Sequence, residues 1–171
     1  MDKKSFCVSP NYQNIQSELE TVLDALRNDR NLTLVSSSNS KRVDLIHEAF
    51  CFLREQERNA ITYYIDIANT QSLDELSKLC TGIIIGKDYV SLNQLFHHLM
   101  VLAKRVYIAI DNFQQILQYP EKGVYALLRS YVEESSNATF IFAGNNERKM
   151  YEMFVSPTKP FYQRTQILIL T

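Results

Sequence analysis

The chain has 171 residues, 46% of them hydrophobic, with 18 Lys and Arg set against 19 Asp and Glu. That length and apolar content suit one domain spanning 1–171 with a substantial core, its first ten residues loosely held. A net charge of −1 excludes a broad field for recruiting nucleic acid or an acidic membrane, so neither is an expected partner.

Cys7, Cys51 and Cys80 are odd in number and widely spaced, which excludes a disulfide framework and suits free thiols in a reducing, cytoplasmic compartment. No stretch approaches the roughly 18 to 20 apolar residues of a membrane span. The charged start Met1 to Lys4 is not followed by the apolar run of a signal peptide.

In chain order, Ile15, Leu19, Val22, Leu23 and Leu26 recur at helical spacing behind Asn11 as N-cap. Leu32 to Val35 is a short apolar strand that runs into a polar loop, Ser36 to Ser40, and Leu45, Ile46, Ala49, Phe50 and Leu53 then share a helical face. Ile61 to Ile67 is β-branched and aromatic and predicts a strand. Ser72 with Glu75, and Ser91 with Gln94, are capping-box pairs in front of two further apolar helices.

Val106 to Ile110 predicts a third strand, ended by Asp111, and Pro120 stands where a first helical turn accepts it, before Val124, Leu127, Leu128, Tyr131 and Val132. Ala138 to Ala143 is a fourth strand, Met150, Met153 and Phe154 mark a short helix, and Gln166 to Leu170 is a fifth strand. Five short strands alternating with helices predict an α/β fold whose mostly parallel sheet is buried on both faces.

Several stretches resemble the archaeal-type predicted ATPases, a STAND-like branch of the AAA+ P-loop NTPases. They are Glu18 to Leu23, Tyr64 to Ile67 with Ser72 to Leu76, and above all Asp111-Asn112-Phe113-Gln114-Gln115-Ile116. Tyr119 to Lys122, Ala126 to Arg129, Phe140 to Gly144 and Pro160 to Arg164 continue the match. The resemblance implies a three-layer core with sheet order 5-1-4-3-2 and nucleotide at the carboxyl ends of the first and third strands. It also implies a helical lid and later domains, to which no segment here corresponds.

In the phosphate loop of such proteins, Gly-x-x-x-x-Gly-Lys-[Ser/Thr], backbone N–H groups enclose phosphate, the Lys meets the terminal phosphates and the hydroxyl binds Mg²⁺. Placed ungapped on this chain, Ser36 takes the first Gly position, Lys41 the second, Arg42 the Lys and Val43 the Ser/Thr. Lys41 crowds a turn suited to glycine, Arg42 is no compact ammonium and Val43 has no oxygen. A register shifted by one restores Lys41 as the phosphate lysine, with Ser40 in the second Gly position, but leaves Arg42 at the Mg²⁺ position.

At the end of the third strand Asp111 keeps the place of the Mg²⁺-assisting acid, while Asn112 takes that of the glutamate that orients or deprotonates water. Asn cannot accept a proton, and a general base contributes about 10²- to 10⁴-fold. Asn145 and Asn146 stand where the family places a γ-phosphate sensor, with loop-forming Asn as the plainer reading. Arg164 is either a nucleotide-facing arginine or an exposed surface one.

His47 and Cys51, four apart, have half the spacing of a metal site but no second pair, and read as buried or half-buried core residues. His97 and His98 diverge around a helix, and the ten tyrosines are assigned to packing. No nucleophile elbow, Cys-His pair or glycosidase carboxylate pair is present.

The expectation is a hydrolysis-deficient ATPase core, with ATP and Mg²⁺ as cofactors by resemblance only, acting on a protein partner or through self-association. An ATP-binding switch or slow ATPase, and a nucleotide-independent scaffold or nucleic-acid accessory protein, are the alternatives.

Overall fold

The computed structural model describes residues 12–86 and 90–171, with side chains from Gln16 onward. The expected N-cap Asn11, the Cys7 thiol, the Ile15 side chain and the loose first ten residues lie outside the described residues. The elements are α1 (Tyr12–Arg27), β1 (Leu32–Val35), α2 (Asn39–Gln56), β2 (Ile61–Asp66), α3 (Leu73–Ile84) and α4 (Leu92–Met100), then β3 (Val106–Asp111), a 3-10 helix (Phe113–Gln118), α5 (Val124–Glu134), β4 (Ala138–Gly144), α6 (Glu147–Val155) and β5 (Gln166–Ile169). The five strands form one sheet in the order β2-β3-β4-β1-β5, every pair parallel. This is the expected 5-1-4-3-2 order, with no antiparallel member.

Alternation along the strands explains why they read as unbroken apolar runs. Val106, Ile108 and Ile110 of β3 join Phe140 and Phe142 of β4 in a core beneath α3, α4, α5 and α6. Tyr107, Ala109, Ile141 and Ala143, facing the other way, pack with Leu32 and Leu34 against α1 and α2. A parallel sheet covered by helices on both faces leaves no polar side to alternate with the apolar one.

The helix faces follow the sequence periodicity. Val22, Leu23 and Leu26 of α1, and Leu45, Ile46, Ala49, Phe50 and Leu53 of α2, are buried. Ser91 and Gln94 make the complete reciprocal box at α4. At α3 half is made: the Glu75 N–H donates to Ser72 Oγ at 3.2 Å, but the Glu75 carboxylate accepts from Gln71 N–H at 2.7 Å.

Two boundaries differ from expectation. The polar loop after β1 is shorter than Ser36 to Ser40, because α2 already begins at Asn39 with Ser38 as its N-cap, accepting from Lys41 N–H. Pro120 does not open a helix. The 3-10 helix occupies Phe113–Gln118 and α5 starts only at Val124, after Gly123 at φ 83°, where the left-handed backbone suits glycine. Apolar periodicity identified the α5 face but carried no signal for a 3-10 turn buried by Phe113 and Ile116.

Burial pushes the Cys80 thiol up from 9.0 to about 12, and burial also raises Tyr63, Tyr107, Tyr119 and Tyr125. All of these groups keep their protons more tightly in the fold than in the unfolded chain. Their contribution is therefore fully present below pH 9 and is lost as pH rises toward 12. Urea midpoints are expected to be level from pH 7 to 8.5 and to fall by pH 10, with a shallower fall in Cys80→Ala.

Candidate functional site

The carboxyl ends of β1, β4 and β3 lie side by side, so the loop after Val35, the Gly144 corner and Asp111 meet at one edge of the sheet. Ser36 N–H donates to the Gly144 carbonyl at 3.1 Å, which ties the start of the loop to β4. Gly144 has no room for a side chain, since a Cβ there would fall 2.4 Å from Gln114 Oε1 and 2.6 Å from Met150 Sδ. Behind Asp111 the fully buried Phe113 ring packs against Phe142 at 4.7 Å and Phe161 at 5.9 Å. That aromatic cluster fixes the direction in which the strand leaves the sheet.

Arg42 and Asp111 are the centre of this edge, with 0% of either residue exposed. Helical side chains lean toward the helix N-terminus, and from the first turn of α2 this brings the guanidinium back under its own loop. Nε donates to Asp111 Oδ1 at 2.7 Å and Nη2 to Asp111 Oδ2 at 3.3 Å. Nη1 donates to the Ser36 carbonyl at 2.9 Å, and Nη2 also to Asn39 Oδ1 at 2.6 Å. Four of the five guanidinium N–H groups are thus engaged. A cation in the first turn opposes the helix dipole, so its burial depends on the Asp111 carboxylate.

Asp111 is equally engaged. Oδ1 also accepts the Asn112 N–H at 2.7 Å, and Oδ2 accepts the Tyr64 hydroxyl at 2.6 Å. Two donors on each oxygen fill the roughly four lone-pair positions of a carboxylate. Burial, and then the bond to Asp111, push the Tyr64 hydroxyl well above the usual phenol range.

The other sequence-predicted positions lie around this pair. Ser36 is buried and its Oγ accepts from Ser38 N–H at 3.2 Å, while Ser40 is exposed. Lys41 Nζ donates to the Thr171 carbonyl, on the β5 side of the loop, and Val43 is half-buried. Asn112 has a left-handed backbone, φ 57°, and its Nδ2 donates to Asp66 Oδ1 of β2 at 2.8 Å. Asn145 Oδ1 accepts from Gln114 Nε2 at 2.8 Å, and Asn146 caps α6 by accepting from Lys149 N–H at 2.9 Å. Arg164 is half exposed beside Glu133, Nε to Oε1 3.2 Å.

Sequence alone does not single out Tyr64 or Asn39, the tyrosines being assigned to packing; the signal that could find them is that an acid closing a buried strand needs hydrogen-bond donors. His47 is a correction: it is exposed, its ring 4.9 Å from that of Tyr64, whereas Cys51 is half-buried as expected. Among the described residues no cluster of three His, Cys, Asp or Glu could hold a metal ion, and no helix is long and apolar enough to cross a membrane. An open groove of about 540 Å³ lies at the opposite end of the sheet, beside Asp29, Lys104, Arg105 and Asn137.

No protein-family model matches the chain, and no curated protein matches it in sequence. Solved structures do. The ORC2 protein of Aeropyrum pernix, determined in ADPNP and ADP complexes, superposes with a TM-score of 0.65 at 15% identity, over 97% of this chain and 50% of that one. This chain shares the α/β fold of that ORC protein.

A Walker-type ATPase of Pyrococcus abyssi gives a TM-score of 0.69 at 17% identity, over 98% of this chain and 56% of the other. Drosophila ORC bound to poly(dA/dT) DNA and Cdc6 gives 0.64 at 8%, over 93% and 29%. The chain spans about half the length of the first two of these proteins.

Mg²⁺ and a triphosphate need open carboxylate and hydroxyl oxygens and a free cation facing them. The donor set here does not fit them as arranged, because Asp111 has its acceptor positions filled, Val43 brings no oxygen and Arg42 is turned inward.

Removing one member of a buried ion pair costs about 3–5 kcal/mol, whereas replacing both by apolar groups costs far less. Arg42→Met and Asp111→Leu alone are each expected to lose about that much. Arg42→Met/Asp111→Leu is expected to fall well below the sum of the two, the coupling being read from urea unfolding in a double-mutant cycle.

Proposed function

We propose that this chain is an AAA+ core of the STAND-like kind that has given up ATP hydrolysis and works as a regulatory or protein-interaction module. The observation that carries the reading is the buried Arg42–Asp111 pair, which puts a tethered guanidinium where the nucleotide-binding relatives of this fold would need phosphate and metal. Its charge substitutes for the metal in neutralising Asp111, so the folded state needs no ligand there. The STAND-like placement rests on the resemblance of Asp111 to Ile116 and the stretches around it.

In this reading Arg42 and Asp111 are the principal residues, with Ser36, Asn39 and Tyr64 completing the closed site. Asn112 supplies no base, and Ser40, Lys41, Val43, Asn145, Asn146 and Arg164 play structural parts. The ATP-binding switch through Lys41 is less well supported, because Lys41 is directed to Thr171 rather than to Asp111.

The test is isothermal titration with ATP and Mg²⁺. No heat of binding is expected at millimolar nucleotide, and micromolar affinity would overturn the proposal. Steady-state phosphate release should be at background and unchanged by Asp111→Ala, while a rate that disappears in that variant supports the slow ATPase instead.

Balanced charge does not decide against DNA, since Drosophila ORC was solved on DNA with this core fold. A nucleic-acid accessory role is the second reading, and salt-dependent anisotropy of labelled duplex DNA would favour it.

A further inference from the structure

The sheet has two edges, and they are finished differently. On β2 the side chains are tied down, Thr62 Oγ1 accepting from Arg54 at 2.6 Å and Tyr63 donating to the Ile84 carbonyl at 3.4 Å, and the strand ends in Asp66. On β5 no residue from Thr165 to Thr171 is charged, and Ile167 and Ile169 are 37% and 43% exposed. Soluble proteins ordinarily guard such an edge with charge, proline or a bulge.

The hydrogen bonding of β5 sets which groups face outward. Gln166 N–H donates to the Asn31 carbonyl at 2.9 Å and Leu170 N–H to the Val35 carbonyl at 2.8 Å. Even-numbered residues therefore point their backbone groups at β1, and Ile167 and Ile169 point theirs away from it, while the carbonyl of Thr171, beyond the strand, is taken by Lys41 Nζ. In the parallel register Ile169 lies beside Val35 and Leu168 beside Leu34, so Ile167 and Ile169 share the α6 face and Leu168 the α1–α2 face.

The order Thr-Gln-Ile-Leu-Ile-Leu-Thr from 165 to 171 reads nearly the same in both directions about Leu168. Two copies aligned antiparallel about that residue set Ile167 opposite Ile169 and Thr165 opposite Thr171, with Gln166 against Leu170 the unlike pair and no charged side chain in the stretch to repel. The backbone parity agrees: Ile167 and Ile169, which face outward, become a hydrogen-bonded pair, and Leu168 meets its copy in a non-hydrogen-bonded pair.

We propose that β5 is a self-association edge at which a second copy of this chain pairs antiparallel about Leu168, making one continuous ten-stranded sheet. The contact makes no use of Arg42 or Asp111, so it stands or falls separately from the nucleotide reading. One short strand edge buries on the order of several hundred Å², below the roughly 1,200 Å² of a stable interface, so the dimer is weak, with a dissociation constant of roughly 0.1 mM.

Sedimentation velocity of the full chain across that concentration range is the first measurement, and a rise toward the dimer mass is expected. Ile169→Pro removes an outward N–H without touching the β1 ladder, and is expected to weaken association at least about tenfold with little change in the urea midpoint. Tyr151→Lys, at an exposed apolar residue on α6, should leave association unchanged.

In a Cys7→Ser/Cys51→Ser background, Leu168→Cys is expected to form an oxidised dimer much faster than Gln166→Cys, because only position 168 meets itself. A monomer at every concentration would overturn the proposal. So would a dimer indifferent to Ile169→Pro, or equal cross-linking at 168 and 166, which would assign the edge to some other strand or the dimer to some other face.

Discussion

A carboxylate with no exposure at the end of a central strand must be neutralised by something, and in this fold Arg42 does it from the first turn of α2. The cost of burying either charge alone is several kcal/mol, so the pair constrains everything that holds it. The loop after β1 must be short enough for the guanidinium to reach back to the Ser36 carbonyl. α2 must start at Asn39, whose side chain accepts another of its protons. β2 must lie beside β3, so that Tyr64 can reach Asp111.

The surroundings of the pair are built to keep it in register. Phe113 turns the chain away immediately after Asn112 and is held by the rings of Phe142, Phe154 and Phe161. Asn112 takes the left-handed corner that this demands and spends its side chain on Asp66. Gly144 lets Gln114 and Met150 close against β4, and Asn146 caps α6. Polar residues that a nucleotide site would use for recognition are here occupied with one another. The same economy of open groups is absent at β5, where the backbone groups of Ile167 and Ile169 face outward and the strand has no charged side chain of its own.

Much of the fold was legible in the chain. Val106 to Ile110 and Phe140 to Ala143 could be read as central strands because a parallel sheet buried on both faces demands uninterrupted apolar runs. The capping serines, Ser72 and Ser91, marked helix starts because the first-turn N–H groups need an acceptor wherever a helix begins. Asp111 stood out as an acid closing an apolar strand. The 3-10 helix at Phe113–Gln118 and the late start of α5 were not legible, since local periodicity does not distinguish a helical turn from the tighter turn that burial of Phe113 and Ile116 imposes.

By itself, the sequence determined the alternation of strands and helices, the faces they bury and the identity of the residues in the loop after β1, because these depend on local period and residue chemistry. Only the tertiary structure decided what those residues do. Arg42 and Asp111 are 69 residues apart, and whether a guanidinium at that position turns outward to an anion or inward to a carboxylate depends on a helix start, a strand order and a tyrosine from a third strand. No window along the chain contains all three.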